Sequence, residues 1–456
     1  MSLLIRKILL IVFILIFFTV SPLLVLYAFG YQLNWQVGNW QRTGMLVIKT
    51  EPGNARIYID GELQTSLWTN IFQKPGTAIT SPAKIKGVFP GEYLVRLELD
   101  GYQPWEKRLT VWPNESVFIE DVRFFNNSLP WQIADLDLKQ LTQVITAPNQ
   151  QQQAVIIDQQ LFLADLEKKT VVPWQIFKTT LPQNFSWSSD SQHLLADLTV
   201  LALPNSTTTA KQIIDLSSLL PTGSTMLKWS EVNKLSYLTK TGLYFFDLNN
   251  QKQDLIYSLN NVNNISDYLV KDGSLYLIIK NQGRSSLIAI DLDDDSKQSL
   301  DLSLSGEYNF LRPNNSWLNI YNEANSTLYL VDPRNLVLDK MQSLACTCYQ
   351  WLANNQLLYA DGFEIWIWNV PANKKRLLTR VSDKISNVFW HPSNNYIIYN
   401  TAKQINSLEL DDRDRHLINT LAEINNIQYL EMSTDGQAVY FYATIGQQAG
   451  LYQLDI

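Results

Sequence analysis

Residues 185–197, "FSWSSDSQHLLAD", decide the fold because their pattern recurs. An apolar, Trp-bearing strand enters a polar turn at Asp190 and leaves as a second apolar strand. The same order stands in "LKWSEVNKLSYLT" (227–239), "YQWLANNQLLYAD" (349–361), "VFWHPSNNYIIYN" (388–400) and "LEMSTDGQAVYFY" (430–442). Weaker copies are "ITAPNQQQQAVII", "YLVKDGSLYLII" and "FLRPNNSWLNIY". The turn residues Asn149, Asp190, Asn233, Asp272, Asn314, Asn354, Asn394 and Asp435 follow one another about every 41 residues. A repeat of that length is a supersecondary unit that buries its faces only against its neighbours.

A second motif keeps the same phase: "QLFLADL", "GLYFFDL", "SLIAIDL", "TLYLVDP", "EIWIWNV", "QINSLEL" and "GLYQLDI", with "TVLALPN" (199–205) as a degenerate copy. Each unit offers four short strand signals separated by Asn, Asp, Ser and Gly, and no long amphipathic helix. Four strands in about 40 residues describe a β-propeller blade. Eight turns imply eight blades, with seven as the alternative if the degenerate second unit is spliced out. The last copy stops at Ile456 without its outer strand. The stretch "LDLKQLTQV" (136–144) has the character of that missing strand and is expected to close the ring, removing a free edge. Through "WSSDSQHLL", "WHPSNNYIIY" and "STDGQAVYF" the units resemble the WD-repeat and TolB-like propeller class.

Composition and the amino-terminal segment set the surroundings. Of 456 residues, 46% are hydrophobic and 17% charged, enough for at least two cores. The net charge of −7, without a Lys/Arg cluster, argues against nucleic acid as a partner. Residues 8–29, "ILLIVFILIFFTVSPLLVLYAF", carry no charge and are long enough to span a bilayer. The small-x-small site Ala28-Phe29-Gly30 is a poor cleavage signal, so an uncleaved anchor is expected. Arg6 and Lys7 precede the segment and the next basic residue is Arg42, which places the amino terminus in the cytoplasm and the bulk outside.

The expected organisation is a cytoplasmic stub and anchor (1–30), a linker (31–43), a small β module (44–125) and the propeller (126–456). In the module, Met45-Val47, Ala55-Ile57-Ile59, Val95-Leu97-Leu99 and Val117-Phe118-Ile119 with Val122 mark strands of a small antiparallel fold. Pro52-Gly53-Asn54 breaks the first pair, Asp60-Gly61 is a type I′ hairpin signal, and Pro90-Gly91 fits the centre of a type II turn. These residues, with "SPAKIKGVFPGEYLVRLELDGY", resemble a PEGA domain, a small extracytoplasmic β-sandwich-like module of bacterial and archaeal surface proteins. The resemblance covers roughly 80 residues and brings no catalytic residues. The loop 62–80 is longer than that pattern, and its Trp68, Ile71 and Phe72 are expected to pack on a neighbouring surface.

No chemistry announces itself. A G-x-S-x-G elbow, a phosphate loop, a Rossmann fingerprint and sialidase-type Asp boxes are all missing. Cys346 and Cys348 are placed two apart on one strand face as free thiols, since a bridge there would be strained. His193, His391 and His416 are scattered, without metal-ligand spacing. The carboxylate runs "DLDDDSKQ" (291–298) and "ELDDRDRH" (409–416) read as solvated turns. Trp187, Trp229, Trp351 and Trp390 recur at one blade position and read as packing, as do Trp366 and Trp368. No catalytic, metal or cofactor residue is assigned. The expectation is an all-β, membrane-anchored, extracytoplasmic binding or scaffold protein for a protein or polysaccharide partner. The alternative is a glycoside-active propeller enzyme with dispersed carboxylates.

Overall fold

The computed structural model describes all residues except 1–2, 36–37, 66–76, 178–180, 205–212, 260–263, 303–305, 312–315, 337–339 and 353–354. Asn314, Asn354, Trp68, Ile71 and Phe72 therefore lie outside the described residues. The helix Leu3–Ala28 contains the 24-residue apolar stretch Ile5–Ala28, none of it buried in protein. At 1.5 Å per residue that stretch is about 36 Å long, enough to cross a hydrocarbon core. Residues 31–43, expected as a linker, instead carry a hairpin, Tyr31–Asn34 against Asn39–Arg42. The chain divides into two compact units, Met1–Ser128 with Leu408–Leu421 and Ile456, and Leu129–Ser407 with Ala422–Asp455.

The first unit holds a two-sheet module. Strands Ala83–Val88, Gly44–Glu51 and Ser116–Arg123 form one sheet; Glu62–Leu63, Arg56–Ile59, Gly91–Glu98 and Trp105–Val111 form the other. Leu46, Ile48, Ile57, Val95, Leu97, Trp105, Leu109, Ile119 and Val122 build one core from both sheets. Asp60 (φ 50°) and Gly61 (φ 82°) have the two left-handed conformations that a type I′ turn requires. Two expectations are corrected. Gly44–Glu51 and Ser116–Arg123 run parallel, so the module is mixed rather than antiparallel. Gly91 lacks the positive φ of a type II turn and instead opens a strand, while Gly87 (φ 77°) takes the left-handed position nearby.

Beyond the module, eight four-stranded sheets are found among the described residues. In chain order they span 141–176, 185–215, 225–258, 265–302, 308–345, 348–380, 385–423 and 428–455, the last completed by Trp131–Asp135. We call them blades 1 to 8. Asx turns occur in both repeating motifs. Between the first and second strands, Asn149, Asp190 and Asp435 each accept, at 3.0 Å, the N–H two residues on. The residue that follows each, Gln150, Ser191 or Gly436, is left-handed. Between the third and fourth strands, Asp247 and Asp291 accept the N–H of Asn249 and Asp293. The short acidic or amide side chain closes its own turn, which is why these residues recur in phase.

First strands of neighbouring blades touch, which sets them at the centre of the ring. Apolar clusters bridge consecutive blades: Ala154, Ile156 and Leu161 of blade 1 meet Trp187, Leu194 and Leu201 of blade 2. Closure differs from the expectation. The strand that completes blade 8 is Trp131–Asp135, with Trp131 opposite Gln453 and Asp135 opposite Gly450. Residues 136–144 supply the 3-10 turn Leu138–Gln140, capped by Asp137, and then the beginning of Leu141–Thr146. Blade 1 needs a central strand of its own before the Asn149 turn, and Leu141–Thr146 is the segment that pairs with Gln152–Ile157.

Candidate functional site

The first strands carry a belt of polar side chains that tie each blade to the next. Lys228 Nζ donates to the Tyr268 carbonyl at 2.9 Å and is ion-paired with Asp267. Asp267 Oδ2 accepts the Phe310 N–H at 2.7 Å, and Gln350 Oε1 accepts the Trp390 N–H at 2.6 Å. Bonds also run backwards: the indoles of Trp187, Trp229 and Trp351 donate to Ile145 O, Ser186 O and Asn319 Oδ1 of the preceding blade, at 2.9 to 3.0 Å. Trp390 donates within its own turn, to Asn394 Oδ1. These four Trp residues thus pack and bond within the ring, as their spacing suggests. Trp368 is buried in the cluster between blades 5 and 6, and Trp366 stacks on Tyr359 at its margin.

The belt changes character where the ends of the propeller chain meet. Tyr442, fully buried in blade 8, donates to Gln153 Oε1 of blade 1 at 2.8 Å, and Gln153 Nε2 donates to Thr146 Oγ1 at 3.2 Å. Glu431 joins this group through a hydrogen bond with Thr146, and burial pushes its carboxyl up to about 7. A lone carboxyl in the ring's lining offers an acid–base group without a second carboxyl beside it.

Beside this seam lies a cleft of about 310 Å³ between the turns of blades 1 and 8. Its charged lining residues are Glu167, Lys169, Asp435 and Asp455. Tyr440 lines it too, with only 7% of its surface exposed. Burial, with Asp435, Asp455 and Glu167 nearby, raises the Tyr440 phenol above its usual range. Gln453, 4% exposed, gives its Nε2 to Asp455 and leaves Oε1 without a partner. Lys169 sits 4.9 Å over the Trp131 ring. The lining is therefore rich in acceptors, and its volume is at the low end for a ligand pocket.

The remaining expected features are placed as follows. The run 291–298 is a turn closed by Asp291 and Asp294 on the N–H groups of Asp293 and Ser296, as expected of a solvated hairpin. The run 409–416 is a solvated turn only in part: residues 412–415 are exposed, but Glu409 is buried in the first unit. There Glu409 pairs with the fully buried Lys107 at 2.7 Å and accepts the Trp105 indole N–H at 3.0 Å. Lys107 Nζ also donates to the Asp411 carbonyl at 2.6 Å, and Arg413 donates to the Phe118 carbonyl at 2.8 Å. Alternating charges in "DDRDR" are the only sequence trace of this network. Cys346 and Cys348 are free thiols, but they do not share a strand: Cys346 follows Gln342–Ala345 and Cys348 opens Cys348–Leu352. Burial pushes both up, to about 12 and about 11. His391 bridges blades 7 and 8 through Gly436 O at 3.0 Å. No group of His, Cys, Asp and Glu fit to hold a metal occurs among the described residues.

No family model and no curated protein sequence matches this chain, so the PEGA resemblance is carried by its own residues alone. Among solved structures, the chain is similar to one from the crystal structure of a mitotic checkpoint complex (12% identity, 73% of this chain and 93% of that chain, TM-score 0.40). It is also similar to a eukaryotic initiation factor (13% identity, 73% and 95%, TM-score 0.46). A third is dipeptidyl peptidase 4 of Porphyromonas gingivalis (10% identity, 69% and 57%, TM-score 0.44). The propeller assignment rests on the eight sheets and their closure.

Proposed function

We propose that this is a membrane-anchored, extracytoplasmic binding or scaffold protein whose propeller receives a protein or polysaccharide partner. The helix Leu3–Ala28 is the anchor, with Arg6 and Lys7 at its cytoplasmic end. The observation that carries the reading is the seam cleft: a buried polar atom without a partner among the described residues, Gln453 Oε1, beside the carboxylates of Glu167, Asp435 and Asp455. Such a lining favours a ligand that brings hydrogen-bond donors. The glycoside-active alternative would draw on the same carboxylates, so one experiment separates the two. The full chain in lipid nanodiscs is presented to glycans and to cell-envelope fractions, and retained material is analysed for products. Saturable retention without turnover, weakened in Glu167→Gln and Asp455→Asn, supports binding at the cleft. Turnover lost in those variants would establish the enzyme reading instead.

A further inference from the structure

Residues 1–50 contain no Asp or Glu, although the chain holds 43 acidic residues; they contain Arg6, Lys7, Arg42 and Lys49. In a protein of net charge −7 this is the longest stretch without a carboxylate side chain, and it continues beyond the apolar helix through the hairpin. Aromatic side chains are concentrated and uncovered there. Tyr27 and Phe29 at the helix end are 68% and 70% exposed, Trp35 is 86% exposed and Trp40 is 43% exposed. Exposed aromatics grouped in this way mark an interaction surface.

The hairpin is fixed to the end of the helix. Phe29 N donates to Val25 O at 3.0 Å, and Thr43 returns to Gly30 O through both its N–H (2.9 Å) and its hydroxyl (3.0 Å). Asn34 Nδ2 bonds Gln41 Oε1 across the two strands at 3.1 Å, and the helix touches the first strand. A four-residue strand reaches only about 13 Å, and the headgroup layer on each side of a bilayer is roughly 5–7 Å thick. Trp35 and Trp40 are thus held within a short distance of the point where the helix leaves the hydrocarbon. Indole rings, with an apolar body and one N–H, collect at that boundary. The Arg42 guanidinium, 5.0 Å over the Tyr31 ring, adds a cation, and the lack of acidic residues removes repulsion from anionic lipids.

We propose that the hairpin Tyr31–Asn34 and Asn39–Arg42 is a lipid-binding element lying in the headgroup layer, with Trp35 and Trp40 at the boundary with the acyl chains and Arg42 beside the phosphates. It rests on the reading of the helix as a membrane span. The test compares the full chain with Trp35→Phe/Trp40→Phe in nanodiscs of phosphatidylcholine and phosphatidylglycerol, with and without bromine near the glycerol end of the acyl chains. The expected result is bromine-dependent quenching of Trp emission in the wild type, most of it absent from the double variant. Equal quenching in both, with the protein embedded, would overturn the lipid contact while leaving the anchor intact. A purified chain that has lost its first 30 residues by mass and does not enter the nanodisc would overturn the anchor and the hairpin proposal together.

Discussion

Glu431→Gln gives the most direct test of how the ring closes. Glu431 lies on the central strand of blade 8, opposite Tyr440 in register, and its carboxyl is hydrogen-bonded by Thr146 of blade 1 and by the Met432 backbone. Burial outweighs those bonds and raises it from 4.5 to about 7. In the folded chain the group keeps its proton up to about pH 7, whereas in the unfolded chain it releases it near 4.5. The unfolded state therefore binds fewer protons in that interval, and stability falls as pH rises through it. The interval is worth about 3 kcal/mol at 1.36 kcal/mol per pH unit. The contribution is fully present below pH 4.5 and lost above about 7. Glutamine keeps an acceptor for the Thr146 hydroxyl and cannot ionise. Urea unfolding of the full chain in detergent, followed by Trp emission at pH 5, 6, 7 and 8, should show the variant gaining on the wild type as pH rises, by about 2.5 kcal/mol across the range. Parallel pH dependences for the two proteins would refute the reasoning.

Other expectations follow from single contacts. A Cβ on Gly450 would stand 1.9 Å from the Ala134 carbonyl oxygen, so Gly450→Ala should lower stability by about 1–3 kcal/mol and speed proteolysis at residues 129–135, read by limited digestion and mass spectrometry. Lys107→Met leaves the Glu409 carboxylate buried without its cation; calorimetry should show a loss of about 3–5 kcal/mol, partly restored by Lys107→Met/Glu409→Gln. Trp229→Phe keeps an aromatic side chain but removes the indole N–H bond to Ser186 O and part of the buried ring, and should cost about 1–3 kcal/mol by chemical denaturation. A loss near zero there would mean that the blade-to-blade bonds add nothing beyond packing.

The propeller was legible because its turns draw on local physics, a self-closing Asn or Asp side chain in some blades and a left-handed Asp272 or Asn394 in others. Asn149, Asp190 and Asp435 close turns with their own side chains, so identity and spacing survive without knowledge of the fold. The closing strand was misplaced because alternating apolar residues occur in both "WQIAD" and "LDLKQLTQV". Pairing with Gly450 and Gln453 chose the first, while blade 1 required the second for its centre. Likewise "GMLVIKTE" reads as a strand but not as one with a parallel neighbour, since strand direction is set by a partner some 70 residues away.

The sequence by itself determined an apolar helix of spanning length, a small β module, an array of four-stranded repeats numbering eight or seven, and the packing role of their Trp residues. Those depend on side-chain periodicity and on turn residues that act within a few positions of themselves. Tertiary structure alone decided that Lys107 is buried on Glu409, that Glu431 sits at the junction of blades 8 and 1, and that Tyr440, Gln453 and Asp455 share a cleft with Glu167. Burial and charge proximity are properties of distance in space, and pairs separated by some 300 residues leave no periodic trace in the chain.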